Sequence, residues 1–136
     1  MKKNGFTLIE LLAVMVILVL IIGIAIPVVT TQIHNSKKRA METTAMSIAR
    51  AIEEDILIDR SNGLPVEIVN NRSLTVPELK KYDVKNGLYS DIKYNVSLDE
   101  NDRAIVTVSL YGTGSYKGLI VINATRISAV AVVEGE

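Results

Sequence analysis

The sequence predicts an α+β fold, a long N-terminal helix packed on a small antiparallel sheet, and three observations lead there. An uninterrupted apolar run, Leu11–Val29, opens the chain behind Lys2, Lys3, Gly5, Phe6 and Glu10. From Met41 to Ile56 the apolar residues then recur at helical spacing. The second half alternates apolar and polar residues in short pieces separated by polar or glycine-rich turns.

The apolar run comes first. Leu11–Val29 holds only apolar side chains, Gly23 and Pro27, and no Asp, Glu, Lys or Arg occurs between Leu11 and Ser36. At about 1.5 Å per residue this run spans roughly 28 Å, close to the ~30 Å of bilayer hydrocarbon. A cleaved secretory signal fits poorly, because its apolar region is about 7–15 residues long and ends in a small-residue exit. Here Ile26-Pro27-Val28-Val29 offers no such exit. Glu10 is also out of place in that class, since a carboxylate at bilayer depth costs on the order of 2.5–3.5 kcal/mol and calls for a partner.

The stretch Gly5-Phe6-Thr7-Leu8-Ile9-Glu10-Leu11-Leu12 resembles the processing site of type IV prepilins and of the related pseudopilins. The resemblance covers about the first quarter of the chain. It implies that a membrane prepilin peptidase cuts between Gly5 and Phe6, and that the new N-terminal Phe6 is N-methylated. It implies that Glu10 pairs with the Phe6 amine of a neighbouring subunit during assembly. Gly23 and Pro27 fall where the family bends its helix. An ordinary single-span anchor with a binding head explains the hydrophobicity but neither the Gly-Phe junction nor Glu10.

The helix continues beyond the bilayer. Lys37-Lys38-Arg39 marks the headgroup level, and Met41, Ala45, Ile48, Ala49, Ile52 and Ile56 form one stripe of an amphipathic helix. The helix is expected from Phe6 to about Asp59, bent near Pro27, and stopped by Ser61-Asn62-Gly63-Leu64-Pro65. Two lysines before the run and three basic residues after it leave the positive-inside count ambiguous. The resemblance to a prepilin processing site implies a cytoplasmic N-terminus. The expected division is a leader at 1–5, a transmembrane and polymerisation half at 6–32, an amphipathic half at 33–60 and a β-rich head at 61–136.

Within the head, Val66–Val69 is expected to be extended, and Val76–Tyr82 a helical turn or two with Pro77 at its start. Asp91–Leu98 and Ala104–Leu110 alternate as a hairpin around the turn Asp99–Asp102. After the Gly112–Gly118 connection, Leu119–Asn123 and Ile127–Val133 read as two strands, or one strand broken near Ala124–Arg126. A sheet of three or four strands on the second half of the helix would bury both apolar faces.

Composition excludes several chemistries. Of 136 residues none is cysteine, so there is no disulfide, thiolate nucleophile or zinc-thiolate site. Basic and acidic residues number 15 each, and loss of Lys2 and Lys3 leaves 13 against 15, a net of −2. The loop Gly112–Gly118 is followed by a strand rather than the helix that a phosphate cradle needs. Asp99, Glu100 and Asp102 supply oxygens suited to calcium but match no EF-hand spacing, so a polar turn is the reading taken. His34, the one histidine, has no nucleophile or orienting acid in its pattern. Glu53-Glu54-Asp55 is a helix surface rather than a carboxylate pair. Five tyrosines with Lys85, Lys93 and Lys117 form at most a DNA-contact surface that the charge balance does not support. Asn71, Asn95 and Asn123 begin Asn-x-Ser/Thr triplets, which matter only in a host that glycosylates them.

The function expected is that of a structural subunit, with no cofactor and no catalytic residues: a type IV pilin stored in the cytoplasmic membrane and polymerised into a surface filament. The alternative is a pseudopilin of a competence or type II secretion system, with nucleic acid a partner only in a competence pilus. The resemblance implies as partners a prepilin peptidase, a platform membrane protein, a cytoplasmic assembly ATPase and other pilins. Glu10 argues against the family's tip-type subunits. The absence of cysteine departs from many Gram-negative pilins, whose heads close with a disulfide, and leans towards a Gram-positive source.

Overall fold

The structure is a computed structural model that describes residues 5–85 and 87–134. Its elements are α1 (Leu8–Ser61), β1 (Val69–Ser73), α2 (Val76–Lys81), β2 (Tyr89–Leu98), β3 (Ala104–Gly112), a single 3₁₀ turn (Gly114–Tyr116), β4 (Leu119–Ala124) and β5 (Ala131–Val133). The chain divides into two compact units between Ser36 and Lys37, so the second takes in the latter part of α1 and the whole sheet.

Helix α1 begins one residue after Thr7 rather than at Phe6, because Thr7 caps it. It ends in a Schellman arrangement. Leu64 N donates to Asp59 O and Gly63 N to Arg60 O, both at 3.0 Å, with Gly63 at φ 81°. That left-handed backbone is what glycine supplies after the last turn.

Met41, Ala45, Ile48, Ala49 and Ile52 are the buried face of α1. They meet one face of an antiparallel meander in the order β1-β2-β3-β4-β5. The register aligns Ile92 with Leu110 and Leu110 with Val121, then Val121 with Ala131, so one apolar row crosses four strands. Tyr94 with Val108, and Val96 with Val106, make the neighbouring rows. The alanines on α1 let its backbone approach the sheet, and larger residues on the strands fill the space around them. Leu98, placed by alternation on the same face, stands at the hairpin end and is exposed.

The sheet has five strands where three or four were expected. Strand β1 begins at Val69, the last residue of the expected piece Val66–Val69, and runs on through Asn70, Asn71, Arg72 and Ser73. Only Val69 of β1 is buried, and an edge strand with no buried face carries no alternation to read. At the other edge, β5 is only Ala131–Val133. Thr125 N donates to Ser128 O at 2.8 Å, closing a turn that removes Ile127–Val130 from the expected strand. Glu42 Oε1 on α1 accepts Ala131 N at 2.9 Å and ties this short edge to the helix.

Two bulges carry asparagines in the left-handed region, Asn71 (φ 52°) in β1 and Asn123 (φ 53°) in β4. Their amide groups are taken by side chains of the facing strand, Asn71 N by Asn95 Oδ1 at 2.6 Å and Asn123 N by Ser109 Oγ at 3.2 Å. Ser109 is thereby a buried polar residue with a partner. Between β3 and β4, a Cβ on Gly112 would overlap the backbone carbonyls of Tyr116 and Leu119.

Helix α2 has its own cap. Glu78 Oε2 accepts Thr75 N and Thr75 Oγ1, both at 2.7 Å, and Glu78 Oε1 takes Arg72 Nη2 at 2.9 Å. Partial burial pushes the Glu78 carboxyl up, but the Thr75 bonds and the Arg72 and Lys81 charges together outweigh it and hold it below its ordinary value. A lowered folded-state value means the contribution is complete above the unfolded pKa and is lost as pH falls through the folded one. Glu78→Ala should cost about 1 kcal/mol at pH 7, and the gap from wild type should narrow as pH falls below the ordinary glutamate range. Urea midpoints of both proteins in neutral detergent check this. A pH-independent gap would show that the carboxylate is not the cause.

Candidate functional site: the N-terminal assembly segment

The Gly5–Phe6 peptide bond lies just ahead of α1, in backbone that belongs to no helix or strand. Phe6 is 86% exposed, and a Cβ placed on Gly5 meets nothing within 4 Å. The fold of this chain therefore imposes no steric need for glycine at position 5; any such need comes from a processing partner.

Thr7 and Glu10 form a capping box at the start of α1. Glu10 Oε2 accepts Thr7 N and Thr7 Oγ1, both at 2.8 Å, and Thr7 Oγ1 accepts Glu10 N at 3.3 Å. Both bonds to the carboxylate use Oε2, and among the described residues Oε1 has no hydrogen-bond partner or ion pair. The arrangement holds a carboxylate beside the backbone of Thr7, one residue from the Phe6 nitrogen, with an oxygen still able to accept. Thr7 is not among the residues the sequence reading singles out. Its signal was the Thr-x-x-Glu spacing ahead of an apolar run, which recurs at Thr75 and Glu78.

Behind this cap, α1 contains a segment long and apolar enough to cross a membrane, none of it buried within the chain. Its helical assignment continues through Gly23 and Pro27. Proline removes the bond that would reach the carbonyl of Gly23 and crowds it. Thr30 Oγ1 and Thr31 Oγ1 both donate to Pro27 O at 3.0 Å, returning hydroxyl protons to the backbone in the turn after it. Nothing lies within 4 Å of a Cβ built on Gly23, so the small residue is not required by packing within one chain.

The other candidates are exposed or already have structural partners. Asp99 Oδ1 accepts Asn101 N and Arg103 N at 2.8 Å, Asp102 pairs with Arg60, and Glu100 is exposed in the same turn. Among the described residues no group of three or more His, Cys, Asp and Glu side chains is placed to hold a metal ion. His34 is an exposed residue of α1. Glu53 turns to Arg126 (3.5 Å) and Asp55 to Lys81 (2.5 Å), in different directions, as the roughly 200° between helical residues two apart requires. Burial raises the Tyr82 hydroxyl well above its usual range, assisted by its hydrogen bond to Asp55. Burial likewise raises Tyr89, whose ring stacks on Tyr116 at 5.8 Å, and Tyr94. Lys93 lies over the Tyr111 ring, so that pair is committed within the head.

Searches of curated proteins and of solved structures found no match. Residues 1–26 match the family model described as the prokaryotic N-terminal methylation motif. The matched region contains the exposed Gly-Phe junction, the Thr7–Glu10 cap and most of the unburied apolar helix, and so the chain carries the prepilin-type signal of type IV pilins and pseudopilins.

Proposed function

We propose that this chain is a subunit of a type IV pilus, cleaved between Gly5 and Phe6, N-methylated on Phe6 and polymerised through α1. The observation that carries the proposal is the methylation motif over residues 1–26, joined to a carboxylate that among the described residues keeps one acceptor oxygen. The motif entails processing by a prepilin peptidase and assembly with other pilins, and the apolar helix fits membrane anchoring before assembly. Cleavage removes Lys2 and Lys3 and creates a cationic amine on Phe6. In a low-dielectric surround that amine and the Glu10 carboxylate of a neighbour attract far more strongly than in water. Gly23 and Pro27 give the helix a place to bend as copies pack. A platform membrane protein and a cytoplasmic ATPase supply extraction and energy, and the filament is displayed outside the cell.

Intact mass of the protein in two fractions, sheared surface filaments and remaining membranes, tests this. A methylated species beginning at Phe6 in the sheared fraction is the expected result. The same species confined to membranes would replace the pilus by a pseudopilus of a secretion or competence machine. Only full-length protein, in cells with an active prepilin peptidase, would overturn the reading and leave a plain membrane anchor.

A further inference from the structure

An open cleft of about 720 Å³ lies between the last turns of α1, the segment Leu64–Val69, the end of α2 and the β1–β2 edge. Ile56 and Val66 are part of its wall, and Ile58 and Leu64 stand at it 58% and 54% exposed. Its charges are Asp55, Asp59 and Glu67 against Lys81 alone, a net of −2. Lys81 is already paired with Asp55, while Asp59 and Glu67 have no cationic partner among the described residues. The same compact unit begins with Lys37-Lys38-Arg39, and none of these three has an acidic partner among the described residues.

The unit is thus cationic at the start of its helix and anionic at the far end of the same helix. Lys38 and Asp55–Asp59 are about 17–21 residues apart on α1, roughly 26–32 Å at 1.5 Å per residue, too far to meet within one chain. Two parallel copies displaced by that distance bring the basic triplet of one beside the cleft of the other. Lysine suits such a cleft, since its aliphatic stem lies on apolar wall while its ammonium reaches the carboxylates at the rim.

From this charge complementarity we infer that the cleft is the docking site for the Lys37–Arg39 segment of a second copy of this chain. The inference rests on the filament reading, and it adds a contact between heads and helices that sets which copies touch.

The chain has no cysteine, so Lys38→Cys with Asp59→Cys introduces its only thiols. Treatment of cells carrying this double variant with a short bismaleimide should give a ladder of dimers and higher multimers, because the two positions are out of reach within one chain. In parallel, Lys37→Glu/Lys38→Glu and Asp59→Lys/Glu67→Lys should each lower sheared filament about tenfold through like-charge contacts, and the combined swap should restore it to within about twofold. Processed, assembled protein that gives no ladder, or a combined swap no better than either half, overturns the inference and leaves the filament reading standing. A ladder from protein that still carries Met1–Gly5 supports the contact and overturns the filament reading. Neither ladder nor filament overturns both.

Discussion

Glu10→Val should leave membrane insertion and cleavage after Gly5 intact while nearly abolishing filaments. The substitution removes a charge whose placement at bilayer depth costs about 2.5–3.5 kcal/mol, so insertion becomes easier, not harder. It also removes the acceptor for Thr7 N and Thr7 Oγ1, a solvent-exposed cap that contributes little at the end of a helix a membrane would itself hold. What remains is the contact between copies. In the proposed filament, leaving the Phe6 amine of each subunit without its carboxylate in a water-poor interface should weaken each contact by on the order of a hundredfold or more. Glu10→Gln separates the two roles, because the amide oxygen still accepts from Thr7 but carries no charge. Both variants should yield protein beginning at Phe6 in membranes and little in the sheared fraction, read by mass and by filament quantity. Wild-type yield from Glu10→Gln would show that Glu10 serves the cap rather than the assembly contact.

The parts of the molecule legible in the sequence are those in which one physical requirement dominates. The apolar run Leu11–Val29 admitted a single solvent, and Gly63 before Leu64-Pro65 could only end a helix. The alternation of Ile92, Tyr94 and Val96 against Val106, Val108 and Leu110 showed which face is buried, and the register pairs these residues directly. Both sheet edges were harder. Strand β1 is Val-Asn-Asn-Arg-Ser, whose pairing comes from its backbone and from Asn95, with almost no buried side chain to announce it. Ile127–Val133 is apolar enough for a strand, but the Thr125–Ser128 turn takes its first half, leaving Ile127 81% exposed. At the site, Gly5, Phe6 and Glu10 stood out by spacing and by the cost of a membrane acid. Thr7 did not, since a threonine becomes informative only with the Glu three residues on, as a pair that closes a helix end. The cleft beside α2 was illegible for a different reason. Asp55, Asp59 and Glu67 come from a helix and the irregular segment after it, and only the tertiary fold gathers them.

Leu110→Ala should be among the most damaging single truncations in the head. Leu110 is fully buried at the centre of the sheet, paired with Ile92 on one side and Val121 on the other, beneath the Met41–Ile52 face of α1. The methylenes removed lose their transfer energy, and the flanking backbone cannot close over the gap without breaking two ladders at once. Limited collapse places the cost in the upper part of the usual range, about 3–4 kcal/mol. The chain offers a clean readout, because it has no tryptophan and all five tyrosines lie between Tyr82 and Tyr116, outside the membrane segment. Tyrosine fluorescence during urea unfolding of the full chain in neutral detergent therefore follows the head alone. The midpoint should fall sharply with an unchanged slope, whereas Ile122→Ala, at an exposed position of β4, should move it little. Equal losses from the two would mean that the packed face of the sheet is not the one that faces α1. For the proposed filament the consequence follows from the same packing: a head that opens frees the Met41–Ile52 face of α1, and subunits lost to unfolding would not be available for assembly.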